Sequence, residues 1–235
     1  MHVEDFRPFI TAELLMGPNS LRILEELLAK HPLQLTSADI LLDLGCGKGL
    51  TSLAAARETP AQVYAADLWL SEEENEARFA RWGVGDRVTA FQEDAAQLDF
   101  DQNLFSALIS VDAYHYFATD ESFFAEKILP FLKDGATVLI GIPGVKEAYA
   151  HSGEELLSPW LGEDAYMFKS PAQWQAIIGT HERIASVETW EMGCFDAAWA
   201  EWFATGHEYA YDDRQFFDTL IAPCTCFVGI CVKLK

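Results

Sequence analysis

Between Ile40 and Arg57 the chain passes from an apolar run, Ile40-Leu41-Leu42-Asp43-Leu44, through Gly45-Cys46-Gly47-Lys48-Gly49 into the small-residue segment Leu50 to Arg57. That order leaves few folds open. A short apolar run bounded by glycines reads as a buried strand, and the leucine- and alanine-rich run after it as a helix. Glycines are needed where the backbone bends sharply, or where a ligand approaches the main chain closer than a Cβ allows. In open α/β sheets such strand-to-helix turns lie at the carboxyl edge, where ligands bind.

The rhythm continues on both sides. Gly17-Pro18 opens a first helix, with Leu21, Leu24 and Leu28 at helical spacing, and His31-Pro32 ends it. Val63 to Ala66 is a second strand ended by Asp67. Ser71 with Glu74 forms a capping box for a helix that runs to Gly83. Val88 to Phe91 and Leu104 to Val111 are the third and fourth strands. A helix over 120–129 and a Lys133-Asp134-Gly135 turn lead to a fifth strand, Thr137 to Ile142. Beyond Pro143 the alternation breaks, and residues 144–170 show no periodicity. A helix from Ser170-Pro171 to Ile178, a sixth strand from Ile184 to Trp190, a helical stretch from Phe195 into the 210s and a seventh strand from Cys224 to Val232 complete the chain. Strands alternating with helices in this way predict βαβ units and a mostly parallel sheet covered on both faces.

At 235 residues this is one α/β domain, with residues 1–35 as an N-terminal helical cap and 144–182 as a lid. The formal charge is −21, from 37 acidic against 16 basic residues, and no Lys/Arg cluster stands out. Such a surface repels phosphate backbones and anionic membranes, which argues against a nucleic-acid or membrane partner. No apolar run approaches the roughly 20 residues of a membrane span. The acidic start, Met1 to Asp5, lacks the layout of a secretory signal. Five cysteines, an odd number, read as reduced thiols in a cytoplasmic protein.

Four motifs follow strands one to four. The first, Asp43-Leu44-Gly45-Cys46-Gly47-Lys48-Gly49, has the spacing G-x-G-x-G, not the G-x-G-x-x-G of a dinucleotide cradle, and carries no Walker motif. The acid ahead of it suits a ligand with a cationic amine. Asp67 closes strand two about 20 residues on, where a carboxylate accepts from both ribose hydroxyls. Leu68 and Trp69 follow it. Glu93-Asp94-Ala95 comes after strand three, and Asp112-Ala113-Tyr114-His115-Tyr116 after strand four.

Together these motifs resemble class I S-adenosylmethionine-dependent methyltransferases, most closely over residues 38–142. The resemblance implies a Rossmann-like, doubly wound, mostly parallel seven-stranded sheet, with an N-terminal helix and a lid insertion after strand five. It implies S-adenosylmethionine as cofactor, with Asp43, Gly45, Cys46 and Gly47 at the methionine portion, Asp67 at the ribose, and Leu68, Asp94 and Ala95 around the adenine. Asp112 joins this set, and the loop that it begins lies beside the transferable methyl. Weaker likenesses at Gly141 to Gly144 and Ala197 to Trp202 point to uncharacterised bacterial small-molecule methyltransferases.

Methyl transfer from a sulfonium is an in-line displacement, and the protein chiefly holds donor and acceptor collinear in a dry site. His115, flanked by Tyr114 and Tyr116, is the candidate base; ordering the loop or positioning the acceptor accounts for the same residue. The acceptor pocket is expected to draw on residues 144–170 and on Met16 to Asn19, and to admit a small molecule. A protein or nucleic-acid methyltransferase on the same fold, and a non-catalytic cofactor-binding module, stay open as alternatives.

Overall fold

The computed structural model describes residues 1–235. Seven strands form one sheet: β1 (Ile40–Leu44), β2 (Gln62–Asp67), β3 (Val88–Gln92), β4 (Phe105–Val111), β5 (Leu132–Val145), β6 (Ile184–Glu191) and β7 (Thr225–Leu234). Their order is β3-β2-β1-β4-β5-β7-β6. All pairings among β1 to β5 are parallel, and β7 alone runs antiparallel to its neighbours β5 and β6. The chain reverses direction on either side of β1, so β1 and β4 flank the switch point at which doubly wound sheets open a crevice.

Seven longer helices accompany the sheet, besides a single turn at Ala222–Cys224: α1 (Ser20–Lys30), α2 (Leu50–Glu58), α3 (Glu72–Arg81), α4 (Gly153–Leu161), α5 (Pro171–Ile178), α6 (Phe195–Ala204) and α7 (Glu208–Phe216). On one face Leu24 and Leu27 of α1, Leu53 of α2, Phe79 of α3 and Trp202 of α6 pack into a single core. On the other, Phe124, Ile128 and Trp174 of α5 close over Leu42, Leu108 and Ile140. Burial on both faces explains why the central strands read as continuous apolar runs rather than alternating ones.

Several boundaries differ from the sequence expectation for local reasons. Helix α1 begins after Pro18: Asn19 is its N-cap, and its side chain accepts from the Leu21 N–H at 3.0 Å. The predicted helix over 120–129 is a wide π turn, Phe124–Ile128, followed by a 3₁₀ turn, Leu129–Phe131, because Pro130 has no N–H with which to continue the ladder. Strand β5 starts at Leu132 instead of Thr137; its register slips between the pairs Phe105–Leu132 and Ala107–Thr137, so the expected turn is absorbed as a bulge. Ser71 caps α3, but the reciprocal capping box forms at Ser170 and Gln173 of α5. The segment 144–170 begins with the end of β5 and then turns helical: a short 3₁₀ turn, Glu147–Tyr149, precedes α4, which is followed by a 3₁₀ stretch, Gly162–Met167. Pro159 inside α4 and the change of helix type hide the period. The five cysteines are free thiols, and no helix is long and apolar enough to cross a membrane.

Candidate active site

The loop after β1 is folded by its glycines. Gly45 has φ +75°, and a Cβ on it would stand 2.2 Å from the Ala113 Cβ; Gly49, at φ +83°, would drive one to 2.4 Å from the Phe79 ring. No other residue type fits either place. The Gly45 and Cys46 N–H groups both donate to the Ala66 carbonyl, at 2.8 and 3.1 Å, which ties the loop to the end of β2. Asp67 completes the tie. Its Oδ2 accepts from the Gly47 N–H at 2.8 Å, and its Oδ1 from the Trp69 and Leu70 N–H groups at 2.8 and 3.1 Å.

Three adjoining cavities lie along this edge of the sheet. The first, of about 120 Å³, runs over Gly45 to Lys48 and is bounded by Leu14 to Pro18, Asp67 and Asp112. The second, of about 170 Å³, is walled by Leu68 on one side and by Glu93, Asp94 and Ala95 on the other. It shares Gly45, Asp67, Trp69, Ala113 and Tyr116 with the first. The third, of about 190 Å³, lies under the expected lid, with Trp160, Asp164 and Phe168 on one side and His115, Trp199 and Asp213 on the other. It shares Met16, Gly17, Pro18, Asp112 and Tyr116 with the first. Trp69 and Tyr116, both more than half-exposed or nearly so, meet edge to face at 5.6 Å across the mouth.

Gly45, Cys46, Gly47, Asp67, Leu68, Asp94, Ala95, Asp112 and His115 therefore line these three adjoining cavities. Two expected residues do not. Asp43 is fully enclosed behind the loop; its Oδ2 accepts from the hydroxyls of Thr51 and Ser52 at 2.7 and 2.6 Å, so it tethers the first turn of α2 to β1. Burial raises its pKa to about 6 against the pull of those two hydroxyls. Tyr114 is buried among Phe117, Phe123 and Trp174, and lines none of the three cavities. The reason is the 3₁₀ turn Tyr114–Tyr116. With three residues per turn, successive side chains diverge, one to the core, one to the third cavity and one to the mouth.

His115 is 2% exposed, and its Nδ1 has no hydrogen-bond partner in the protein. Burial lowers its pKa to about 3, so the ring is neutral near pH 7. Asp112 sits where the first and third cavities meet, in the left-handed region at φ +58°, with its N–H donated to the Gly141 carbonyl at 2.7 Å. Removal from water, and then the charge of Asp213, raise its pKa to about 7. Asp213 escaped the sequence reading, because it stands on α7 with no motif around it, whereas Trp199 on α6 lies in the Ala197 to Trp202 likeness and Asp164 lies in the expected lid.

Residues 41–135 match the family model described as a methyltransferase domain. No curated protein sequence matches the chain. Among solved structures, geranyl diphosphate C-methyltransferase from Streptomyces coelicolor A3(2) superposes with a TM-score of 0.71 at 17% identity, over 89% of this chain and 78% of that one. Phosphoethanolamine N-methyltransferase 2 from Haemonchus contortus gives 0.70 at 23% identity, over 94% of this chain and 54% of that one. The MccD protein gives 0.67 at 14% identity, over 93% and 99%. Residues 41–135 thus match a methyltransferase domain, and the whole chain has the Rossmann-like fold of these neighbours, a fold shared by the class of S-adenosylmethionine-dependent methyltransferases. S-adenosylmethionine is the cofactor of that class.

Proposed function

We propose that the chain transfers the methyl group of S-adenosylmethionine to a small-molecule acceptor. One observation carries the reading: three cavities stand in a row with shared walls, and the middle one follows the glycine loop. In this reading the adenine enters the second cavity, between Leu68 and the Asp94-Ala95 pair. Asp67 receives the ribose hydroxyls, and the methionine portion lies along Gly45 to Gly47. The sulfonium methyl then faces Asp112 and the third cavity, which takes the acceptor.

Little covalent chemistry is asked of the protein. The acceptor's lone pair attacks the methyl carbon opposite sulfur, and the positive charge on sulfur is discharged as the bond breaks. Holding the two reactants in line is worth roughly 7–11 kcal/mol of barrier. The lid residues Trp160 and Phe168, with Met16 and Tyr116 at the mouth, exclude water. Their crowding over a cavity of about 190 Å³ favours a small acceptor over a folded protein or a nucleic acid.

Calorimetry tests the reading. S-adenosylmethionine and S-adenosylhomocysteine are expected to bind, and NAD not to compete. Tight NAD binding with no S-adenosylmethionine binding refutes it.

A further inference from the structure

The third cavity has an uneven chemistry. Its walls include the aromatic rings of Tyr116, Trp160, Phe168 and Trp199, and three carboxylates, Asp112, Asp164 and Asp213, but no lysine or arginine. Asp213 is held by two indole N–H groups, Trp160 Nε1 at 3.1 Å and Trp202 Nε1 at 2.9 Å, which orient it without neutralising it. His115 brings no positive charge, and its buried Nδ1 is left without a partner. Asp112 and Asp213 are partly withdrawn from water, with Asp164 exposed at the rim and no lysine or arginine beside them, an arrangement that is costly and that a bound cation relieves. Aromatic faces attract the same kind of ligand.

We propose that the acceptor is a small amine that enters the third cavity as its ammonium ion, and that Asp112 takes its proton during transfer. This rests on the methyl-transfer reading above. An ammonium ion has no lone pair, so nitrogen cannot attack until a proton leaves. Asp112 stands where the acceptor and donor cavities meet. The N–H proton passes to its carboxylate oxygen, and the freed pair forms the N–C bond to the methyl. The C–S bond breaks with its electrons left on sulfur, giving S-adenosylhomocysteine and the methylated amine. Asp112 then returns the proton to solvent. Neutral His115 in its Nε2–H form offers Nδ1 as an acceptor for a second N–H of the ligand.

The geometry disfavours the anionic acceptors named for two of the structural neighbours. A phosphate or diphosphate here meets three carboxylates and no basic side chain.

The test uses the whole protein with saturating S-adenosylhomocysteine, and reads tryptophan fluorescence, to which Trp160 and Trp199 report. The probes are methylamine, dimethylamine, benzylamine and phenethylamine, each against the matching alcohol, with phenylacetate as the anion. At least one amine should bind ten-fold or more tighter than its alcohol, and phenylacetate should not bind. That amine should be methylated when S-adenosylmethionine replaces the product. Asp213→Asn should weaken the amine about ten-fold and leave S-adenosylmethionine affinity unchanged; if it misfolds, the exposed Asp164→Asn takes its place with a smaller loss.

Asp112→Asn keeps a residue type that tolerates φ > 0. Its maximal rate should fall by roughly 10²–10⁴. The residual rate should rise with pH as free amine accumulates. Amines bound no better than their alcohols, or turnover seen only with geranyl diphosphate and Mg²⁺, overturns the amine assignment while the methyl-transfer reading stands. An Asp112→Asn enzyme with wild-type rate and pH profile overturns the role of Asp112. Failure to bind S-adenosylmethionine at all overturns the methyl-transfer reading, and this inference with it.

Discussion

Replacing Asp67 with alanine separates the two tasks that the residue performs. In the free protein its carboxylate accepts three backbone N–H groups, from Gly47, Trp69 and Leu70. In the cofactor complex it is expected to accept from the ribose hydroxyls as well. A carboxylate offers about four lone-pair directions, so the ribose takes the vacant one and competes for the longest of the three bonds, to Leu70 at 3.1 Å. Loss of a buried acceptor costs about 1–3 kcal/mol at the ligand, or roughly 5–150-fold in cofactor affinity. The three tethers each contribute about 0.5–1.5 kcal/mol to folding. Water reaches the freed N–H groups through the open cleft, so the stability loss should sit near the lower end of their sum. Asp67→Asn keeps Oδ1 for Trp69 and Leu70 but turns an amide towards the Gly47 N–H, so it should hurt the loop and the ribose more than the turn. Calorimetry with S-adenosylhomocysteine and urea unfolding measure the two effects separately. A folded Asp67→Ala protein with an unchanged dissociation constant refutes the reasoning.

Gly49→Ala should destabilise the fold, by about 1–2 kcal/mol for a left-handed backbone and by a further 1–3 or so for the collision with Phe79, as read by urea unfolding. His115→Ala should raise the Michaelis constant for the acceptor and leave the saturated rate near wild type, because a ring with its pKa lowered to about 3 takes no proton in the assay range; a hundred-fold fall in the saturated rate contradicts this. The Asp112 pKa is raised on folding from 3.8 to about 7. The folded state therefore holds the proton more tightly, the stabilisation is complete below pH 3.8, and it is lost as pH rises towards 7. Wild type should lose stability relative to Asp112→Asn across that window, and parallel unfolding curves from pH 4 to 7 would show the shift to be absent. Backbone amides of 144–170 should gain protection from hydrogen exchange when cofactor and acceptor bind, and full protection in the free protein would make the segment a fixed wall.

The part of the fold that sequence reveals is the part in which local chemistry and tertiary position agree. The strands β1 to β4 are short apolar runs because both sheet faces are covered, and the turn after β1 carries glycines because Ala113 and Phe79 leave no room for a Cβ. These constraints act within a few residues of each motif, so the edge proposed for the cofactor shows in the motifs and in the family resemblance that they carry. Where the chain is shaped by distant partners, spacing is silent. Asn19 caps α1, but it is held in place by Glu201 and by the Ala198 carbonyl, both on α6. The bulge in β5 is set by pairing with β4, and nothing in Lys133-Asp134-Gly135 distinguishes it from a free turn.

The same division explains the two residues that the site does not use as expected. Asp43 carries the acid that the glycine loop is expected to have, yet a carboxylate at the end of a central strand has sheet on both sides and helix α2 above. Its Oδ2 therefore takes Thr51 and Ser52 as partners and steadies the loop, while its buried Oδ1 has no partner in the protein. Tyr114 and His115 are adjacent in sequence and face opposite sides of the turn, a fact fixed by winding, not by residue type. The third cavity gathers Met16, Asp112, Trp160, Trp199 and Asp213 from five separate segments. Met16, Asp112 and Trp199 fall in segments that the sequence singles out, but Asp213 by itself looks like one more acid in a chain with 37. Its meaning comes from Trp160 and Trp202, which aim it, and from the absence of lysine and arginine among the walls that it shares with Asp112. In the proposed reading, acceptor choice is thus a property of the assembled cavity, whereas cofactor choice falls to one strand-loop-helix unit and the carboxylate that follows it.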